Sequence, residues 1–437
     1  MNLISKRLAH IIVEQNINDL KLYPGNARTH SDKQIQQIAG SIKRFGFTNP
    51  VLVDDSNNVI AGHGRISAAK QLGLETVPTA CLSGLSEADR KAYIIADNRL
   101  AEQAGWDDDL LKIELDGILS LEPDFDLDVI GFNDADVTRI LDPLNATSKE
   151  DAVPEIDTAR PALSKPGDIW ILGNHRLICG DATASGTYQS LLAGQKAQMI
   201  FTDPPYNVPI DGHVCGLGKV QHKEFAMASG EMTSEQFSRF LSSSFANLAN
   251  YSADGSIHYI CMDWRHISEI MQAGAANYTE LKNLIVWNKD NGGMGAFYRS
   301  KHELIFAFKH GTAKHINNFE LGQHGRYRTN VWDYAGINSF TADRAEQLEM
   351  HPTVKPVDLV ADAILDCSKR GGIILDAFAG SGTTIIAAEQ ASRCCYAIEL
   401  DPHYCDVAVQ RWQNMTGKSA SLESVDMTFD HLRASKT

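Results

Sequence analysis

Two patterns of apolar and polar positions divide the chain. In the N-terminal part, Ile35, Ile38 and Ile42 recur at helical spacing behind a Ser31-Asp32 cap, which predicts a helix. Val51-Leu52-Val53, the turn Asp55-Ser56-Asn57-Asn58 and Val59-Ile60-Ala61 then predict a hairpin. Gly62-His63-Gly64-Arg65 opens a short helix ending before Gly73, and a strand follows near Thr76 to Leu82. This reads as a small α+β unit. From Gly167 the pattern changes to short, nearly all-apolar runs separated by helical stretches. Ile169–Leu172 and Arg176–Cys179 predict a hairpin around Gly173-Asn174. Ala197–Phe201, Ile257–Cys261, Leu284–Trp287, Leu304–Phe308, Gly372–Leu375 and Cys395–Ile398 predict further strands, with helices at Ser234–Ala249, Val357–Ser368 and Thr383–Ala391. Runs apolar on both faces, alternating with helices, predict an α/β fold with a doubly wound, mostly parallel sheet.

Charge refines this division. The chain carries a net −15, which taken alone argues against a nucleic-acid partner. Between Ala101 and Arg160, however, seventeen Asp and Glu face four Lys and Arg, so the rest of the chain is close to neutral and can hold basic patches. The expected organisation is a first domain over 1–100, an acidic helical linker over 101–160, a larger domain over 161–420 and a tail over 421–437. No apolar run reaches the length of a membrane span, and the N-terminus lacks the apolar core of a signal peptide, so a cytoplasmic protein is expected. The eight cysteines form no C-x-x-C pair and the fifteen histidines no ligand-spaced set, so no metal site is expected.

Chemistry concentrates at two places. Asp203-Pro204-Pro205-Tyr206 follows an apolar strand, and each proline fixes its own φ and restricts the residue before it. A carboxylate, two stiff residues and an aromatic face suit gripping the exocyclic amine of a planar base. The second place is the strand–turn–helix corner Asp376-Ala377-Phe378-Ala379-Gly380-Ser381-Gly382-Thr383, where glycines let a ligand approach the backbone. Ile385 stands where a dinucleotide fold wants a third small residue, and Glu399, nineteen residues after Gly380, can hold ribose hydroxyls. An adenosine-bearing cofactor without a pyrophosphate, S-adenosyl-L-methionine, fits better than NAD.

Together these motifs resemble the amino-methyltransferases of DNA, in the permuted class whose catalytic motif precedes its cofactor motif. Val286-Trp287-Asn288-Lys289, His302-Glu303-Leu304-Ile305, His351-Pro352-Thr353-Val354-Lys355-Pro356 and Tyr404 complete the match in the family's order. The resemblance implies a Rossmann-like sheet and methylation of adenine N6 in double-stranded DNA after base flipping. Asp203 and the Pro204 carbonyl would accept the two N6 hydrogens, with Pro205 stiffening the arm and Tyr206 stacking on the base. Asp181, Asp376, Phe378, Gly380, Gly382 and Glu399 would contact the cofactor, and Thr353 and Lys355 would close over its carboxylate end. Lys219 and Lys223 in a glycine-rich flap (Asn207–Lys223), with Arg326 and Arg328 in a basic–aromatic segment (Lys309–Tyr334), are candidate DNA contacts. N4-cytosine methylation is the alternative within the family, although serine more often replaces the aspartate there.

The N-terminal unit resembles the ParB-like domain of partition proteins, through Asn26-Ala27-Arg28, Gly46-Phe47, Pro50-Val51-Leu52-Val53 and Ile60-Ala61-Gly62-His63-Gly64-Arg65. This implies a turn, carried by Gly62, Gly64 and Arg65, that binds a nucleotide's phosphates or DNA. Where the family carries Glu and Arg, this chain has His63 and Gly64, and the family's helix-turn-helix module is not evident afterwards. A ParB-like regulator with a vestigial methylase half is the reading from another class. A second copy of the chain is a candidate partner.

Overall fold

The computed structural model describes residues 12–122, 125–132, 134–141, 153–154, 156, 160–208, 230–290, 292, 298–319, 328–336 and 354–435. The chain forms two compact units, Met1–Leu141 and Asp142–Thr437.

The first unit is α+β. Strands β1 (Ile12–Asn16), β2 (Val51–Val53), β3 (Val59–Ala61) and β4 (Thr76–Cys81) form a sheet in the order β1-β4-β2-β3. Helix α1 (Asp32–Phe45) begins where the Ser31 hydroxyl accepts the Gln34 amide at 3.2 Å, and α2 (His63–Gln71) begins at Gly62, whose φ of 104° suits glycine. Val51, Val53, Val59, Ile66 and Val77 make the core.

The stretch read as an acidic linker instead folds. After α3 (Glu87–Glu102), helices α4 (Asp108–Leu121) and α5 (Asp134–Leu141) enclose their own core of Leu111, Leu115, Leu127, Val137, Ile140 and Leu141. Its apolar residues recur at helical spacing inside the acidic run, so carboxylates face water while one stripe packs. The charge count masked that stripe.

The second unit is built on one sheet, in the order β11-β9-β10-β8-β7-β12-β13-β6-β5-β14-β15 among the described residues. Its strands are β5 (Ile169–Leu172), β6 (His175–Cys179), β7 (Ala197–Thr202), β8 (Ser252–Met262), β9 (Glu280–Asn288), β10 (His302–Lys309), β11 (Val331–Asp333), β12 (Ile373–Asp376), β13 (Cys394–Glu399), β14 (Ser421–Leu422) and β15 (Met427–Thr428). The central five, β8-β7-β12-β13-β6, are parallel, and antiparallel hairpins extend both edges. Helices α6 (Ser185–Leu192), α7 (Ser234–Asn250) and α8 (Ile267–Asn277) cover one face. Helices α9 (Val357–Cys367), α10 (Thr383–Gln390) and α11 (Pro402–Thr416) cover the other. Both faces are buried, so Met199 and Phe201 of β7 join one core while Ile200 joins the other. The tail also packs: Phe429, at the start of α12 (Phe429–Ser435), is buried edge-on against Trp170 at 5.2 Å.

Candidate active site

Four adjacent parallel strands bring the sequence motifs to one edge. β7 leads into Asp203, β12 into the glycine turn and β6 into Asp181, and β13 ends at Glu399, all at their carboxyl ends. At about 4.8 Å between strands, the outer two of these sites lie roughly 14 Å apart. Open α/β sheets bind ligands in such a crevice.

The Asp203 arm forms because β7 is buried almost throughout and stops at two prolines. Asp203 Oδ2 accepts the Lys355 ammonium at 2.6 Å and Oδ1 accepts the Tyr206 hydroxyl at 2.6 Å. Lys355 also donates to Tyr206 Oη at 3.0 Å and lies 3.0 Å from Glu303 Oε2, while Lys289 pairs with the other Glu303 oxygen. Two carboxylates thus share two ammoniums. Burial pushes the Asp203 carboxyl up, against the pull of Lys355. Burial also opposes ionisation of Glu303, but Lys355 and Lys289 together outweigh it and hold that carboxyl down at about 2. Burial works against the Lys355 charge as well, yet Asp203 and Glu303 raise its affinity for the proton. The Lys355 ammonium further sits over the Tyr206 ring at 5.3 Å.

This placement corrects one expectation. Lys355, expected at the cofactor's carboxylate end, instead has its charge bound between Asp203 and Glu303, because two buried carboxylates leave a nearby ammonium no better partner. Glu303 and Lys289 lie in motifs visible in the sequence. Only the antiparallel pairing of β9 with β10, which sets Trp287 opposite Glu303, brings them together.

At the cofactor corner, Gly380 has φ 51° and open space where a side chain would start, so a ligand can approach its backbone. Gly382, at φ 83°, is held for packing: a Cβ there would meet the Ala408 methyl at 2.9 Å. Glu399 accepts the Gly380 amide at 2.7 Å and the Asp401 amide at 2.8 Å, and burial raises its carboxyl to about 7. Asp376 faces inward, accepting Thr202 Oγ1 at 2.8 Å, the Phe378 amide at 3.0 Å and Thr384 Oγ1 at 2.6 Å. Buried and fully bonded, with its carboxyl raised to about 6 by that burial, it clamps the turn to the strand carrying Asp203. Phe378 is half-buried against Phe240. Asp181 caps its own turn at Thr183 (2.7 Å to the amide), and the Gly180 amide donates to the Glu399 carbonyl, placing that turn beside Glu399.

Among the expected DNA contacts, Lys219, Lys223 and Arg326 lie outside the described residues, as do Thr353 and most of the flap. Arg328 is corrected: Nε donates to Asp366 at 3.0 Å, Nη1 reaches Tyr334 and Asp362, and the guanidinium lies over Trp332 at 4.5 Å. Only 17% of its side chain is exposed, so it serves packing within the protein. Among the described residues, no group of three or more His, Cys, Asp or Glu could hold a metal ion, and no helix is long and apolar enough to cross a membrane.

In the first unit, a cavity of about 240 Å³ is lined by His30, His63, Arg28, Asp97 and the Gly62-His63-Gly64-Arg65 turn. Arg65 Nη1 donates to the Asn49 and Pro50 carbonyls at 2.6 and 2.8 Å, and Arg28 pairs with Glu102 at 3.1 Å. Gly64 packs against His30, where a Cβ would come within 3.0 Å. Burial, then the neighbouring His30, lowers the proton affinity of His63.

This edge, with its carboxylate arm beside a glycine turn, is the ligand crevice of a Rossmann-like sheet. The family model for DNA methylase (N6/N4) matches residues 197–410, that for the ParB N-terminal domain residues 5–98, and that for the ParB-methyltransferase HTH domain residues 109–166. The chain therefore belongs, through its C-terminal half, to the N6/N4 DNA methylases and carries an N-terminal ParB domain. The helix-turn-helix match falls on the acidic stretch where no such module was evident. The ParB-like nuclease domain-containing protein YnaK of Escherichia coli is 48% identical over 80 residues, which are 18% of this chain and 92% of that protein. The type II methyltransferase M2.MboI of Moraxella bovis is 25% identical, over 52% of this chain and 85% of its own. The DNA adenine methyltransferase YhdJ of Escherichia coli is 25% identical, over 54% of this chain and 81% of its own. Among solved structures, the M1.HpyAVI–SAM complex aligns over 54% of this chain and 97% of its own, at 21% identity and a TM-score of 0.40.

Proposed function

We propose that the second unit transfers a methyl group from S-adenosyl-L-methionine to N6 of adenine in double-stranded DNA. The observation that carries this reading is the adjacency of β7 and β12, which sets the Asp203 arm beside the Gly380 turn. The cofactor's fit rests on three features: the open face of Gly380, the Glu399 carboxylate and the N-terminus of α10, which no side chain caps. Gly380, Gly382, Phe378, Asp181 and Glu399 would hold it, and when bound it supplies an electrophilic methyl on a sulfonium.

The chain's own residues do the rest. Adenine N6 is a poor nucleophile because its lone pair is delocalised into the ring. Asp203 has four acceptor sites, of which Lys355 and Tyr206 take two, so it can accept an N6 hydrogen without releasing either. The Pro204 carbonyl accepts the other hydrogen, which favours a pyramidal nitrogen with its lone pair directed away from the arm. Lys355 keeps Asp203 ionised for this task despite burial, and Glu303 and Lys289 keep Lys355 in place. Alignment by a stiff arm can supply several kcal/mol of the barrier, on the order of 7 in well-oriented systems. The N6 proton released on methylation can pass to the Asp203 carboxylate, which burial makes the more basic of the pair.

For the first unit, we infer that the Gly62 turn and its cavity bind a nucleotide phosphate or a DNA phosphate through backbone amides at the start of α2. Methyl transfer to unmethylated duplex, with the product base identified by digestion and mass spectrometry, tests the main reading. N6-methyladenine supports it and N4-methylcytosine replaces it with the sister reaction. Binding without any transfer leaves a DNA-binding protein with a vestigial methylase.

A further inference from the structure

Besides Asp203, the same edge of the sheet gathers side chains that the proposed chemistry leaves unused. Thr202 of β7 pairs with Ile260 of β8, so Asp203 stands level with Cys261. β8 ends at the next residue and turns through Asp263-Trp264-Arg265-His266. β10 runs antiparallel with Leu304 opposite Met262, so residues 298–302 approach from this edge, and β9 leaves by it. Trp264 therefore follows directly on the strand end, three residues past the position level with Asp203, on the edge where an extruded base and its flanking nucleotides would lie.

Trp264 is 50% exposed although the turn carrying it is firmly held. Asp263 accepts the Arg265 amide at 2.9 Å, the His266 ring packs edge-on against Phe237 at 4.9 Å, and Glu269 accepts Ser234 Oγ at 2.8 Å beside His266. A large indole is ordinarily drawn into a core; here a rigid turn holds it out. The Arg265 guanidinium lies 5.5 Å from its ring and remains 44% exposed while paired with Asp263. Across the edge, Tyr298 is 80% exposed and Arg299 and Lys301 are exposed, the latter segment tied in by the Lys289 amide donating to the Lys301 carbonyl at 2.8 Å. The nearby carboxylates are engaged: Asp263 by Arg265, Glu303 by the two lysines, Asp333 by Asn288 and Asp290 by the Gly336 amide. Trp264, Arg265, Tyr298, Arg299 and Lys301 face solvent there, beside the exposed carboxylates of Asp290 and Asp333.

We propose that this edge receives the DNA flanking the extruded base, with Trp264 stacking on a base and Arg265, Arg299 and Lys301 meeting phosphates. The inference rests on the DNA-methylating reading of the site. It assigns duplex contact to residues on rigid strand ends, in place of Arg328. The test uses the full chain, unmethylated duplex DNA, and Trp264→Ala, Trp264→Phe and Arg299→Ala/Lys301→Ala variants. Kd and KM for DNA are measured across salt, with cofactor affinity measured by calorimetry. Trp264→Ala is expected to raise Kd and KM for DNA about five- to a hundredfold, with Trp264→Phe restoring most of the loss. The double variant should lower the slope of log K against log salt by about 2. Cofactor affinity should be unchanged in all three. Variants with wild-type Kd and salt slope overturn the surface, even where the wild type methylates DNA. A wild type that binds duplex but transfers no methyl overturns the activity instead, and the binding measurements still decide the surface.

Discussion

Residue by residue, the site is a set of ionisable groups whose charges depend on one another. Glu399 shows the consequence for the cofactor. Its carboxyl titrates at about 7 because of burial, and ribose hydroxyls donate best to the ionised form. Below pH 7 binding must first remove a proton, so cofactor affinity should fall about tenfold per pH unit. Glu399→Gln should bind weakly and almost independently of pH, as calorimetry from pH 5.5 to 8.5 would show. A wild-type affinity flat across that range would exclude this role. At the arm, Lys355→Met removes the cation between Asp203 and Glu303, so the already raised Asp203 carboxyl rises further and the depressed Glu303 carboxyl loses part of what holds it down. The acid limb of the kcat profile should move up by about one unit or more. An unmoved limb would show that Lys355 does not tune Asp203.

At the level of elements, two ties hold the site's strands in register. Thr202 and Asp376 join β7 to β12, so Thr202→Val leaves a buried carboxylate short of a partner and should cost roughly 1–3 kcal/mol in denaturant unfolding. Glu389, at the end of α10, accepts His175 Nε2 at 2.6 Å, Trp412 Nε1 at 3.1 Å and Lys418 at 2.9 Å, and chiefly the His175 bond lowers its carboxyl to about 2. A carboxyl depressed on folding stabilises above its ordinary value of 4.5, and that stability is lost as pH falls toward 2. Glu389→Gln should therefore cost about 1–2 kcal/mol at pH 7, allowing for its partial exposure, and progressively less below pH 4. A deficit constant with pH would assign the loss to packing. The strands themselves were legible because both faces of the sheet are buried and the apolar runs are continuous. Lys355 and Arg328 were not legible in this way. Each stands in a segment whose composition suits a ligand, and the carboxylates that capture it come from distant strands and helices. The α4–α5 core was hidden for a different reason: its apolar stripe is narrow and embedded in like charge.

For the whole molecule, a net charge of −15 coexists with a DNA-methylase family match because the acidity is concentrated in residues 101–160 and the rest of the chain is close to neutral. Duplex affinity should accordingly weaken steeply with salt despite the acidic total. An affinity insensitive to salt between 50 and 200 mM, on the order used for such tests, would contradict phosphate contact. The proposed reaction turns on one carboxylate, Asp203, acting on one base. It is tested by transfer of a labelled methyl group from S-adenosyl-L-methionine to unmethylated duplex by wild type and by Asp203→Ala, with the modified base identified after digestion. The expected result is N6-methyladenine from the wild type and loss of transfer by at least about a hundredfold in Asp203→Ala, with the variant still binding cofactor. Methylation that survives Asp203→Ala would contradict it.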